Sequence, residues 1–308
     1  MISKLYWEKS TEMAIPEQQL ETWSHQGSKV QSASTYQSIK GVLEDSVSPF
    51  HKWSFRIFLQ GSYGNDTNIY ADSDVDIVIC LTSVYYADTS YLNAEEKARY
   101  EANRTLGGIG FNEFKAEVLA WLQKAFGQGV KAGKKAIFVP GNSSRRDADV
   151  LVCVVSKTFT SYPANGEPDV VEGVCFWTSE GEKVVNYPRQ HLSNCTELNG
   201  ATFQRFKSSV RVLKNMRNAM IRHGYLRDGI APSYFLEGML SNVPRQNFVA
   251  SRQQTLENYL AWIETCQTGD LTCANGIHYL LRNGHSVCWN QGDFNSFRAA
   301  ASACYHQW

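Results

Sequence analysis

Apolar positions along this chain follow two periods, and the change from one to the other divides it. In the first part, short β-branched and aromatic runs stand between polar turns. Phe55-Arg-Ile-Phe-Leu-Gln60, Ser73-Asp-Val-Asp-Ile-Val-Ile79, Ala136-Ile-Phe-Val139 and Asp147–Val155 predict strands. Val174–Thr178 and Lys183–Tyr187, joined by Ser179-Glu-Gly-Glu182, predict a hairpin within 170–188. Two helices accompany these strands. Tyr36, Ile39 and Leu43 form one stripe within 28–45, and Phe114, Val118, Trp121, Leu122 and Ala125 point inward from 112–126. Residues 1–26 are polar with scattered aromatics and read as an arm.

Asn194–Gly200 reads as a polar link, and beyond it the pattern is helical. Over Thr202–His223, Phe203, Phe206, Val210 and Leu213 follow +3, +4, +3 spacing and face a core. Pro232 and Ser233 suit the opening of the next helix. Two further helical stretches cover 254–266 and 293–305. The expected fold is α+β in two lobes, a mixed-sheet lobe over 1–200 and a helical lobe over 201–308.

Composition narrows the function classes. The 308 residues include 43% apolar residues, with 15 Phe, 15 Tyr and 8 Trp, ample for a buried core. Thirty basic residues balance thirty acidic ones, whereas a protein living on duplex nucleic acid carries a basic excess. Constitutive nucleic-acid binding is therefore not expected. Met1–Glu8 has no apolar leader, and no run approaches the ~18 apolar residues needed to cross a bilayer. Eight cysteines between Cys80 and Cys304 form no Cys-x-x-Cys pair, which argues against zinc and disulfide scaffolds and fits reduced thiols. A soluble cytoplasmic protein without membrane association follows, and Asn-x-Ser/Thr matches such as those at Asn65, Asn142 and Asn194 are then fortuitous.

Two nucleotide motifs are ruled out. Leu106-Gly-Gly-Ile-Gly110 lacks a preceding apolar strand and has Glu113 where a third glycine is needed, and no G-x-x-x-x-G-K-[ST] occurs. The chemistry lies in 61–76 instead. Gly61-Ser62 ends a strand as a turn whose amides and hydroxyl suit an anion. Asp74 and Asp76, two apart on the next strand, share a face. Neighbouring carboxylates repel unless a cation sits between them, and hard oxygen donors suit Mg²⁺ or Mn²⁺.

Asp147 and Asp149 open a second strand of the same kind, and either completes a three-carboxylate set, with Asp149 ahead. Lys207, Arg211 and Lys214 stack on one helix face as a polyphosphate contact or an ordinary solvated stripe. Ser233 and Tyr234 open a helix, where free amides favour anions, or simply cap it and fill a core. Tyr85, Tyr86 and Tyr91 read as a surface loop or a base-stacking surface.

Gly61-Ser62-Tyr63, Thr67 and Ser73-Asp74-Val75-Asp76 together resemble the signature of the polymerase-β-type nucleotidyltransferases, and more narrowly that of the bacterial CD-NTases, relatives of cyclic GMP-AMP synthase and DncV. Asp147-Ala-Asp149-Val is similar to the third metal-binding segment. Val210-Arg211-Val212-Leu213-Lys214 resembles the family's spine helix. Pro232-Ser233-Tyr234 with Glu237, and Asn242-Val-Pro244 after it, resembles the segment carrying a phosphate-binding serine and a base-stacking tyrosine. The likeness spans about residues 50–308. One departure stands out: many relatives have a proline soon after the third acid, where this chain runs Val150-Leu-Val-Cys153.

The resemblance implies a two-lobed polymerase-β-like enzyme that joins ribonucleoside triphosphates into a cyclic di- or trinucleotide and releases pyrophosphate. The product is then a second messenger acting on an effector in anti-phage signalling, without direct contact between enzyme and effector. It implies two Mg²⁺ ions (Mn²⁺ as substitute) on Asp74, Asp76 and Asp149. Gly61, Ser62, Lys214 and Ser233 hold phosphates, Arg211 is a weaker candidate for that task, and Tyr234 stacks on a base. A monomer is expected. The alternatives are a template-free linear transferase acting on an RNA end or small molecule, and a silent nucleotide-binding sensor.

Overall fold

The computed structural model describes residues 15–27, 29–70, 74–105 and 107–308. Most of the expected arm, Ser28, Ser73 and Leu106 lie outside the described residues. In chain order the elements are α1 (Glu17–Ser24), α2 (Val30–Leu43), β1 (Phe55–Leu59), α3 (Gly61–Gly64), β2 (Val75–Asp88), α4 (Ala94–Asn103), α5 (Phe111–Phe126), β3 (Lys131–Ala132) and β4 (Ile137–Val139). They continue with β5 (Ala148–Ser161), β6 (Asp169–Trp177), β7 (Lys183–Asn186), α6 (Pro188–Ala201), α7 (Arg205–Arg222), α8 (Ser233–Ser241), α9 (Arg252–Thr265) and α10 (Gln291–His306). The chain forms two compact units. One holds the described parts of 29–64 and 73–188, the other those of 1–28, 65–72 and 189–308. The division thus falls at Pro188/Arg189, ahead of the expected residue 200, and the second unit also recruits α1 and the segment after Gly64.

The first unit is a seven-stranded mixed sheet in the order β1-β2-β5-β4-β3, with β6 paired to β5 and β7 to β6. Only β2 and β5 run parallel. Their near-continuous apolar runs, Val75 and Ile77–Leu81 beside Val150–Val155, match strands covered on both faces. Ile39 and Leu43 of α2 and Phe114, Val118 and Leu122 of α5 complete that core, while Ala125 is exposed and not inward. β2 runs well past its expected end. A register shift between Leu81 and Tyr85 lets pairing with β5 resume, so Tyr85 and Tyr86 are strand residues and not a loop. Tyr86 packs edge-on against Trp177 at 6.0 Å. Tyr91 stays 71% exposed. α4 was not foreseen; its start is a capping box in which Asn93 and Glu96 satisfy each other's backbone amides.

The second unit buries Phe206, Val210, Val212, Leu213 and Met216 of α7 against α8, α9 and α10. α7 starts later than its apolar spacing predicts. Thr202 Oγ1 accepts from the Phe206 amide (3.0 Å) and Asn199 Oδ1 from the Lys207 amide (3.0 Å), which caps the helix there. Phe203 and Gln204 take positive φ (53° and 65°) at the break, and Phe203, expected in the core, is 79% exposed. The expected polar link at 194–200 is the second half of α6, a helix whose buried positions are His191 and Cys195, one turn apart. α1 sends Leu20 and Trp23 into the same core. No helix among the described residues is long and apolar enough to cross a membrane, and all eight cysteines are free thiols.

Candidate active site

The carboxylates come together through strand register. Asp74 precedes β2 and Asp76 lies within it, and the parallel pairing places Asp76 opposite Asp149 of β5. Directly paired residues of adjacent strands show the same face, so Asp76 and Asp149 lie side by side near the starts of their strands, one residue after Val75 and Ala148, with Asp74 just ahead of β2. Asp74 is exposed, and Asp76 and Asp149 are half-buried. Burial, and then the negative charges of Asp74 and Asp147, push the Asp149 carboxyl above its ordinary value. A cluster of hard oxygen donors carrying mutual repulsion fits a divalent cation.

Asp147 is occupied otherwise. Its Oδ1 accepts from the Gly141 amide at 2.6 Å, and its carbonyl accepts from the Val75 amide at 3.0 Å. It therefore ties the 140–146 loop to the start of β2, while Asp149 is the residue paired with Asp76.

Gly61 stands against the same acids. It follows β1 with φ +64°, and a Cβ built on it would lie 2.1 Å from Asp76 Oδ2. Glycine is thus required twice, by the left-handed backbone and by the carboxylate occupying the space of a side chain. The Gln60 amide donates to the Asp76 carbonyl at 2.9 Å, fixing the turn to β2. Ser62, half-buried, sits in the four-residue helical turn α3.

In the helical unit the basic stripe is not a solvated face. Lys214 is fully buried and donates to the Thr67 carbonyl at 3.1 Å. Arg211 donates from Nε to the Ser24 carbonyl (2.5 Å) and from Nη1 to the Asp66 carbonyl (2.7 Å), and Lys207 pairs with Asp66 at 3.5 Å. All three hold the 65–68 segment or α1. Ser233 is half-buried and its hydroxyl accepts from Arg217 at 3.2 Å. The Tyr234 ring stacks on His191, centroids 5.1 Å apart at 23°.

The model of the cGAS/DncV-like nucleotidyltransferase C-terminal helical domain matches residues 193–306. The cyclic UMP-AMP synthase of Rhodothermus marinus is 37% identical over 268 residues, 86% of this chain and 88% of that protein. The cyclic dipurine nucleotide synthase of Elizabethkingia meningoseptica is 34% identical over 274 residues, 88% of this chain and 92% of that protein. The chain belongs to the CD-NTase family. The solved structure of the Rhodothermus marinus CdnE c-UMP-AMP synthase with Apcpp and Upnpp matches this CD-NTase fold at a TM-score of 0.85 and 34% identity, covering 96% of this chain and 97% of that one.

Membership makes the chain a nucleotidyltransferase of the cyclic-nucleotide synthase kind, with the fold class read from its sequence. One part of this CD-NTase was not legible beforehand. Among the described residues, one group of three metal-capable donors lies within 4.8 Å: His191, Cys195 and Glu237, all buried. Asn65 and Thr67 adjoin it, both hydrogen-bonded to Glu237. Thr67 and Glu237 stand in the segments that carry the family resemblance, but the His191/Cys195 spacing of one helical turn inside a polar stretch carries no weight until α8 is packed beside it.

Proposed function

We propose that this CD-NTase joins ribonucleoside triphosphates into a cyclic di- or trinucleotide with release of pyrophosphate. The observation that carries the reading is the in-register pair Asp76 and Asp149, with Asp74 close enough for its charge to act on Asp149. Asp74, Asp76 and Asp149 would hold two Mg²⁺ ions, or Mn²⁺, which when bound lower the pKa of a ribose hydroxyl and neutralise phosphate charge. The chain's own residues orient the reactants. Gly61 leaves room for the Asp76 carboxylate, and Ser62 offers its hydroxyl to the donor's phosphates. Ser233 does the same from the start of α8, and Tyr234 presents a ring to a base, worth about 1–3 kcal/mol in stacking. Lys214 and Arg211 hold the backbone at Thr67 and Asp66, in the stretch of chain that follows the Gly-Ser turn. The product serves as a diffusible cytoplasmic messenger to an effector, with the enzyme working as a monomer.

The division between Asp147 and Asp149 gives a direct expectation. Asp149→Asn removes a cation donor and lowers turnover at least about a hundredfold. Asp147→Asn, whose amide oxygen still accepts from Gly141, retains turnover to within about tenfold. Steady-state pyrophosphate release from both variants checks the pair, and the reverse ranking would make Asp147 the third ligand.

The reaction class is tested by supplying the four ribonucleoside triphosphates with Mg²⁺ and no other acceptor. Pyrophosphate release under those conditions supports synthesis from triphosphates alone. Release only after adding an RNA or a small-molecule acceptor would replace this reading with a linear transferase.

A further inference from the structure

Glu237 is a buried carboxylate that the chemistry above leaves without a role. It sits on α8, three residues beyond Tyr234. Its Oε1 accepts from the Thr67 hydroxyl, and its Oε2 accepts from Asn65 Nδ2 at 2.8 Å and meets His191 Nε2 at 2.6 Å. Three side chains from two distant parts of the sequence therefore converge on one carboxylate. Thr67 is held a second time, through its carbonyl, by the buried Lys214 ammonium.

The cluster is an ion pair. Burial disfavours the His191 imidazolium, but contacts with Cys195 and Glu237 outweigh it and raise its pKa to about 10. Burial likewise works against the Glu237 carboxylate, and His191, Thr67 and Lys214 hold it below its ordinary range. Both groups are charged at neutral pH. Both Glu237 oxygens already accept hydrogen bonds, whereas His191 Nδ1 is buried without a hydrogen-bond partner among the described residues.

The His191 ring has another neighbour. Tyr234 lies almost flat on it, and the Tyr234 hydroxyl accepts from Asn275 Nδ2 at 3.0 Å. Asn275 is itself fixed, its Oδ1 accepting from the amides of Ile277 (2.8 Å) and His278 (3.0 Å). Tyr234 is thus held at its tip by Asn275 and on one face by His191, whose orientation Glu237 sets.

We propose that Glu237 is a positioning residue for nucleotide binding, acting through His191 on the Tyr234 ring. This rests on Tyr234 being the base-contacting ring of the functional reading above. A ring fixed before the nucleotide arrives loses less freedom on binding, so the effect falls on affinity more than on turnover.

The test is a double-mutant cycle on the full-length enzyme with Glu237→Gln, Tyr234→Ala and both together. Each is read as Kd for the four ribonucleoside triphosphates, one at a time with Mg²⁺, and as KM and kcat for pyrophosphate release. Glu237→Gln keeps the shape but removes the negative charge facing His191 and replaces one accepting oxygen by an NH₂. It is expected to raise Kd and KM about tenfold with kcat changed less than about threefold. In the Tyr234→Ala background the same substitution is expected to add less than about twofold. Independent, multiplying effects, or an unchanged Kd in Glu237→Gln, would overturn the proposal. Should Glu237→Gln not fold, His191→Gln is read in the same cycle with the same expectation and the same overturning result. A wild-type enzyme that binds triphosphates yet releases no pyrophosphate would defeat the functional reading and leave the Kd cycle to decide this one.

Discussion

Replacing Asp74 and Asp76 together by Asn is expected to lower nucleotidyl transfer by at least about a thousandfold while leaving the fold intact. Asp76 lies at the start of β2 with Asp149 in register beside it, and Asp74 stands just ahead of the strand. Asn keeps the size and one oxygen of each side chain but removes the negative charge that holds a divalent cation. The structural cost is small for the same reason: neutralising two of three crowded like charges relieves repulsion. Val75, Ile77 and Ile79, which anchor the strand in the core, are untouched. Pyrophosphate release and thermal unfolding, measured on the same preparation, check both halves. Near-wild-type turnover would remove these acids from the chemistry.

The second large effect comes from a residue with no side chain. Gly61→Ala is expected to lower turnover about a hundredfold, because an added Cβ would lie 2.1 Å from Asp76 Oδ2 and 2.9 Å from its Cγ. Either the turn or the carboxylate must move, and displacement of about 1 Å is enough for such a loss. The left-handed φ of +64° adds about 1–2 kcal/mol of backbone strain. Gly127→Ala separates the two causes. Gly127 ends α5 with φ +87° and has nothing within 4 Å of a built Cβ. It should share the loss of stability and keep its turnover. Equal losses of turnover in both variants would assign the Gly61 effect to strain alone and not to the acid beside it.

How much could be read before the structure depended on whether a residue's role was local. The strands and their acids were legible because alternation and apolar runs are properties of adjacent residues. Asp74 and Asp76 share a face by period alone, and Asp149 became their neighbour once two apolar strands with acidic starts were paired. Residues whose role depends on long-range packing were not legible. Phe203 fits the stripe of α7 by spacing, yet Thr202 and Asn199 cap the helix after it and leave it outside.

The basic stripe shows the same limit. Spacing placed Lys207, Arg211 and Lys214 on one helix face, but only packing revealed that 65–68 and α1 lie against it. Asn65, read as a fortuitous Asn-x-Thr match, is 3% exposed and bound to a glutamate 172 positions away. α6 escaped because a helix presenting only His191 and Cys195 inward has almost no apolar stripe.

The central claim is that three strand-borne acids and a glycine turn serve the synthesis of a cyclic oligonucleotide. Its most direct test is the mass of the phosphatase-resistant product formed from the four ribonucleoside triphosphates and Mg²⁺. The account predicts a species with the mass of a cyclic di- or trinucleotide, absent from the Asp74→Asn/Asp76→Asn enzyme. Products that phosphatase shortens to free ends, or triphosphates left unconsumed, would contradict it.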